Sequence, residues 1–121
     1  MTKIQNDKRF DLEDRTFDFA KETTLFVRQL PKNISNLEYG RQAIDASGSV
    51  GANYIEANEA LSKKDFIMRI KICRKEAKET AYWLRLIIET NDETYKQKGR
   101  SLLEEAIELK KIFSSILARS E

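Results

Sequence analysis

Residues 35–90 read SNLEYGRQAIDASGSVGANYIEANEALSKKDFIMRIKICRKEAKETAYWLRLIIET. Two capping signals divide this stretch. Ser35-x-x-Glu38 and Ser62-x-x-Asp65 each set a hydroxyl three residues ahead of an acid. In that pattern the hydroxyl accepts from an early helical N–H and the acid reaches back to the cap. The spacing predicts helices over 36–61 and 63–90, joined by a turn at Leu61–Lys63. On the first, Leu37, Ile44, Tyr54 and Leu61 make an apolar row, filled by Gly40, Ser47, Gly51 and Asn58. A second row holds Ala43, Ala46, Val50, Ala57 and Leu61. Three of the four glycines, Gly40, Gly48 and Gly51, lie in this helix. Each costs roughly 1 kcal/mol relative to Ala, so a close backbone approach is expected in return; a break at Ser47-Gly48-Ser49 is the alternative. On the second helix Phe66, Ile70, Cys73, Ala77, Leu84 and Ile88 share a face. Antiparallel pairing across the turn sets Tyr54 near Ile70, Gly51 near Cys73 and Ser47 near Ala77. The small residues are thus expected to face the 63–90 helix.

Two further helices flank this hairpin. Leu12, Phe19, Ala20, Val27 and Leu30 fall on a 3.6-residue stripe with Phe26 beside it, which predicts a helix over 11–30. Asp11 is the expected N-cap, Glu13 and Asp14 suit the positive end of the helix dipole, and Pro31 stops the helix. Asn91-Asp92 ends the third helix. Leu102, Ala106, Leu109, Phe113 and Ile116, widened by Leu103, Ile112 and Leu117, predict a fourth over 96–118, with Gly99 loosening its first turns. Short connections make neighbours antiparallel. The fold class read here is all-α: one domain over 1–121, an antiparallel up-down-up-down four-helix bundle.

The composition narrows the chemistry. Among 121 residues there is no His and one Cys. Ser-His-Asp triads, Cys-His pairs and His-ligated metals are excluded, as are internal disulfides and thiolate zinc sites. No apolar run approaches the ~20 residues of a membrane span. The opening MTKIQNDKRFDLED lacks the apolar stretch of a signal peptide, so a cytoplasmic chain is expected. No catalytic residue, cofactor or metal site is expected, since no acidic cluster is well placed on two facing helices to hold a cation. Cys73 reads as a small buried hydrophobe; if exposed, its thiol would be activated by Lys71, Arg74 and Lys75. Asn53 and Glu56 interrupt an otherwise small and apolar stretch. They read as a hydrogen-bonded register device between helices, with Glu56 turned to Arg69 or Arg74. Trp83 needs a partner for its N–H if buried.

Charge is the clearest hint of function. The chain carries 22 basic and 20 acidic residues, net +2. Residues 63–78 nevertheless hold Lys63, Lys64, Arg69, Lys71, Arg74, Lys75 and Lys78 against Asp65 and Glu76, while 38–59 hold one base against four acids. Lys64, Lys71, Lys75, Lys78 and Arg85 share one helical face. Such a stripe neutralises phosphates and releases counterions; a solvated face or a dock for an acidic partner are the other readings. It lacks the interleaved aromatics of a single-strand stacking platform, and no helix-turn-helix signature stands out.

The run Ser49-Val50-Gly51-Ala52-Asn53-Tyr54-Ile55-Glu56-Ala57, then Ser62-x-x-Asp65-Phe66, then Glu79 with Tyr82-Trp83-Leu84, resembles the 23S rRNA intervening-sequence protein family. The likeness covers about 10–117 in helix layout; Asn58 stands where many members have Gly. The resemblance implies a four-helix bundle encoded within large-subunit rRNA insertions or standing alone in bacterial genomes. It also implies kinship with the accessory protein of diversity-generating retroelements, a pentameric barrel that binds nucleic acid and a reverse transcriptase. A homopentamer is therefore expected, with no catalytic residues to carry over. The matched Gly51, Asn53, Glu56, Asp65 and Trp83 read as architectural. Surplus apolar residues on helix 2, and Phe10 and Phe17 off the main stripe of helix 1, also favour self-association. The expected function is a non-enzymatic oligomer binding RNA or DNA through Lys63, Lys64, Arg69, Lys71, Arg74, Lys75, Lys78 and Arg85. The alternative is an adaptor whose basic face docks an acidic protein.

Overall fold

The computed structural model describes the backbone of residues 8–120 and the side chains of residues 12–120. Four helices follow one another: α1 (Lys8–Gln29), α2 (Ile34–Asn58), α3 (Lys63–Thr90) and α4 (Lys96–Ser120). A 3₁₀ turn, Glu93–Tyr95, leads into α4. Each helix packs on the next and α4 returns to α1. The result is an all-α four-helix bundle in which α3 stands diagonally across from α1.

The caps decide where the helices begin. Ser62 accepts from the Asp65 N–H at 3.1 Å, so α3 starts where the serine signal placed it. The Ser35 signal does not operate. Asn33 caps α2 instead, accepting from the Asn36 N–H at 2.8 Å. Asn caps at least as well as Ser, and it lies two residues earlier. Ser35 only donates to Asn33 Oδ1, and Glu38 turns outward to Arg41. Likewise α1 already runs through Asp11, so Asp11 is not its cap; the side chain of Phe10 lies outside the described residues. At its other end α2 stops at Asn58, because the N–H groups of Glu59 and Ala60 fold back onto the carbonyls of Glu56 and Ala57. That leaves Leu61 in the turn, 99% exposed, and not in an apolar row.

The core takes Phe19, Phe26, Val50, Ile70, Leu84, Ile87, Leu109 and Phe113, with Cys73 and several alanines among them. The helical breaks allowed for at Ser47-Gly48-Ser49 are absent: α2 is continuous there. Its buried row is Ala43, Ala46, Val50 and Ala57, joined by Gly40, Ser47 and Tyr54. Leu37, expected in a core row, is 62% exposed.

The glycines correct one expectation. A Cβ on Gly40 would meet Val27 Cγ1 at 2.5 Å, and one on Gly51 would meet Thr16 Oγ1 at 3.0 Å. Both neighbours belong to α1, so these two glycines face α1 and not α3. Toward α3, α2 offers the Val50 carbonyl and the Asn53 side-chain amide. Cys73 Sγ donates to the Val50 carbonyl at 3.4 Å, and Arg69 donates to Asn53 Oδ1 at 3.0 Å. Gly99 is the glycine of α4, seated inside the helix, where a Cβ would meet Ile88 Cγ1 at 2.7 Å.

One end of the bundle is tied by an amide pair absent from the sequence reading. Buried Asn36 donates to Asn91 Oδ1 at 2.9 Å, and Asn91 donates back to Asn36 Oδ1 at 2.8 Å. Each amide also donates to a main-chain carbonyl, Pro31 and Ile87 respectively. The α1–α2 turn is thereby fixed to the end of α3.

Candidate functional site

The cations of α3 divide by face. At 100° per residue, Lys64, Lys71, Lys75, Lys78 and Arg85 fall within an arc of about 100°, and all five are exposed. Lys63 is exposed at the N-terminal end, and Arg74 is half-buried on the stripe's flank. Arg69 leaves the group: it points to α2 and is held by Asn53. The stripe is poorly neutralised. Lys75 stands 3.8 Å from Glu76 and 4.0 Å from Glu79, the outer limit of an ion pair. Among the described residues, Lys64, Lys71, Lys78 and Arg85 make no ion pair.

The same arc also holds the exposed acid Glu89 at its C-terminal end, and two exposed side chains without charge. Met68 and Tyr82 fall within it, each about half exposed. Tyr82 lies between Lys78 and Arg85, at spacings of four and three, so the stripe does hold an aromatic. The Tyr82 ring packs against Trp83 at 5.1 Å and 76°, and Trp83 packs against Tyr39 of α2 at 6.0 Å and 31°. The spacing alone was enough to find Tyr82; its exposure was not in the spacing, because Tyr suits a core equally well.

The other singled-out residues are structural in their contacts. Asn53 is the link between α2 and α3: its Nδ2 donates to the Ser49 carbonyl while its Oδ1 accepts from Arg69. Glu56 is exposed and pairs with neither Arg69 nor Arg74, since Arg69 is taken by the nearer amide. Asp65 supplies the N–H that Ser62 caps. Cys73 is fully buried, and that burial pushes its thiol up to about 12. The neighbouring lysines do not activate it, because they point outward from a different face. Burial also raises the Glu76 carboxyl above its ordinary range, with Glu79 adding to the effect.

Across the bundle, α1 and α4 enclose a groove of about 670 Å³. Asp14, Asp18 and Glu22 line it from α1, and Glu104, Glu105 and Glu108 from α4. Carboxylates of two facing helices thus line one groove. Two ion pairs bridge the groove. Arg15 grips Glu105 through two bonds, 2.7 and 2.9 Å, which hold the guanidinium pKa above its usual value. Lys98 donates to Glu22 at 2.9 Å and draws that carboxyl below its ordinary range. Among the described residues, no three His, Cys, Asp or Glu side chains converge closely enough to hold a metal ion. No described helix is long and apolar enough to cross a membrane.

The family model for the 23S rRNA-intervening sequence protein matches residues 8–115, which include every residue of the stripe and of the aromatic cluster. Among solved structures, the chain is similar to a protein of unknown function from the S23 ribosomal protein family of Bacteroides thetaiotaomicron VPI-5482. The two are 31% identical with a TM-score of 0.72, over 87% of this chain and 96% of that one. No curated protein matches the chain.

Proposed function

The chain belongs to the 23S rRNA-intervening sequence protein family, and from that premise we propose that it is a non-enzymatic, oligomeric bundle that binds RNA or DNA through the outer face of α3. The observation that carries this reading is the row of exposed, largely unpaired cations at Lys64, Lys71, Lys75, Lys78 and Arg85. Unpaired cations along a straight helix hold a local potential that backbone phosphates neutralise, with release of counterions. The lone thiol is buried and poorly ionised, which argues against nucleophilic chemistry.

Self-association into a closed ring of five subunits belongs to the same proposal. Phe17 on α1 is 67% exposed, and Leu37 and Ile55 on α2 are exposed as well. Apolar surface of this kind favours a partner, here a second copy. Light scattering tests it: a monomer across micromolar concentrations overturns the ring.

Binding is tested by anisotropy with labelled oligonucleotides over a salt series. The expected result is affinity that falls steeply with salt. In Lys71→Glu/Lys75→Glu/Lys78→Glu the salt slope drops by about 2 for a single strand, roughly 0.7 per lost phosphate contact. No binding at low salt, or binding unchanged in the triple variant, overturns the nucleic-acid reading. Salt-sensitive capture of an acidic protein in its place would favour the adaptor.

A further inference from the structure

We infer that Tyr82 is a base-stacking platform toward the C-terminal end of the α3 stripe, between Lys78 and Arg85, and that the ligand this face takes is an unpaired strand of nucleic acid, not a duplex. The inference rests on the nucleic-acid reading above and narrows it. Tyr82 is 54% exposed although it is a large aromatic residue inside a well-packed helix, two turns from its C-terminal end. It lies on the same arc as Lys71, Lys75, Lys78 and Arg85. Lys78 precedes it by four residues and Arg85 follows it by three, which places cations about 6 Å and 4.5 Å away along the axis at 1.5 Å per residue. A strand running along α3 therefore meets positive charge on both sides of the ring.

The ring is also held from behind. It stands at 76° to Trp83 with centroids 5.1 Å apart, and Trp83 in turn leans on Tyr39 of α2. Such edge-on packing restricts the ring's motion before any ligand arrives, so less conformational freedom is lost on stacking. Every nucleobase has a π-face, which makes this contact tolerant of sequence. In a duplex those faces are covered by neighbouring base pairs, and only the phosphates remain for the protein. A basic stripe without an aromatic would serve both forms; a basic stripe with an exposed, braced ring discriminates between them.

The experiment compares a labelled single strand of about 12 nucleotides with the duplex of the same sequence, both at low salt. The wild-type chain is expected to bind the single strand more tightly. Tyr82→Ala is expected to weaken single-strand binding about tenfold while leaving duplex binding within twofold. Tyr82→Phe keeps the π-face and is expected to restore the wild-type affinity. The exposed position allows both variants to fold, which circular dichroism checks. If single-strand affinity is unchanged in Tyr82→Ala, or both forms weaken alike, the stacking inference falls while the charge-based reading stands. A Tyr82→Ala chain that changes its oligomeric state and loses both forms together would place the ring at a subunit contact, which also overturns the inference. Binding to neither form by the wild-type chain overturns the inference and the nucleic-acid reading together.

Discussion

The α1–α4 groove and the outer face of α3 are both densely charged, yet they use charge in opposite ways. In the groove the two signs face each other across a seam, and Arg15–Glu105 and Lys98–Glu22 close it. On α3 the cations share one arc, with the long contacts from Lys75 to Glu76 and Glu79 beside them and Glu89 as the one exposed acid within the arc. Charges on two facing helices find partners as the bundle forms. Charges on the outer arc of one helix have only their own helix and solvent. The first arrangement contributes to the fold; the second leaves a potential for something else to neutralise.

That contrast is broken most sharply at α3. Lys71→Glu/Lys75→Glu/Lys78→Glu should lower low-salt affinity for a single strand by a hundredfold or more, each phosphate contact being strongly salt-sensitive. Thermal melting should shift little, because exposed charges contribute little to stability. Equal losses of affinity and melting temperature would show that the stripe is part of the fold after all.

The seam gives the converse result through stability, and the buried amide pair sets its upper bound. Asn36→Ala strips half-buried Asn91 of its partner and should cost about 1–2 kcal/mol in urea unfolding. Arg15→Ala removes a half-exposed bidentate pair and should cost about 0.5–1 kcal/mol, with oligonucleotide affinity unchanged. An Arg15 variant that binds differently would mean that the two regions communicate.

Glu76, to one side of the stripe, sharpens the contrast least but carries a sign. Its carboxyl is raised by burial, so the folded state holds the neutral form more readily than the unfolded chain does. That stability is present below the ordinary value of 4.5 and is lost as pH rises through the raised value. Glu76→Gln should therefore melt slightly higher than wild type at pH 7, with the gap closing below pH 4.5. A lower melting temperature at pH 7 would assign Glu76 a net favourable pairing with Lys75.

Much of the bundle was legible because helix periodicity and caps are local. Ser62 marked the start of α3, Asn91 its end, and Cys73 its buried face. Each miss has its own physical cause. Asn33 displaced Ser35 as a cap because two good caps competed within one turn. Leu61 fell into the connection because α2 tightened at Glu59. At the candidate site, the basic arc followed from spacing, but Arg69 was assigned to it when its true partner was an amide sixteen residues away. Tyr82 was passed over because a Tyr on a helix reads as readily for the core as for the surface.

By itself, the sequence determined four helices, their order and most of the inward stripe of each, since these depend on contacts within a turn or two. Only the tertiary structure decided which neighbour each small or polar residue would meet. Gly40 and Gly51 serve the approach of α2 to α1, six carboxylates gather across α1 and α4, and Tyr82 stays outside among lysines. Those outcomes depend on how each helix is rotated against its neighbours, a choice made by the packing of whole faces and carried by no single segment.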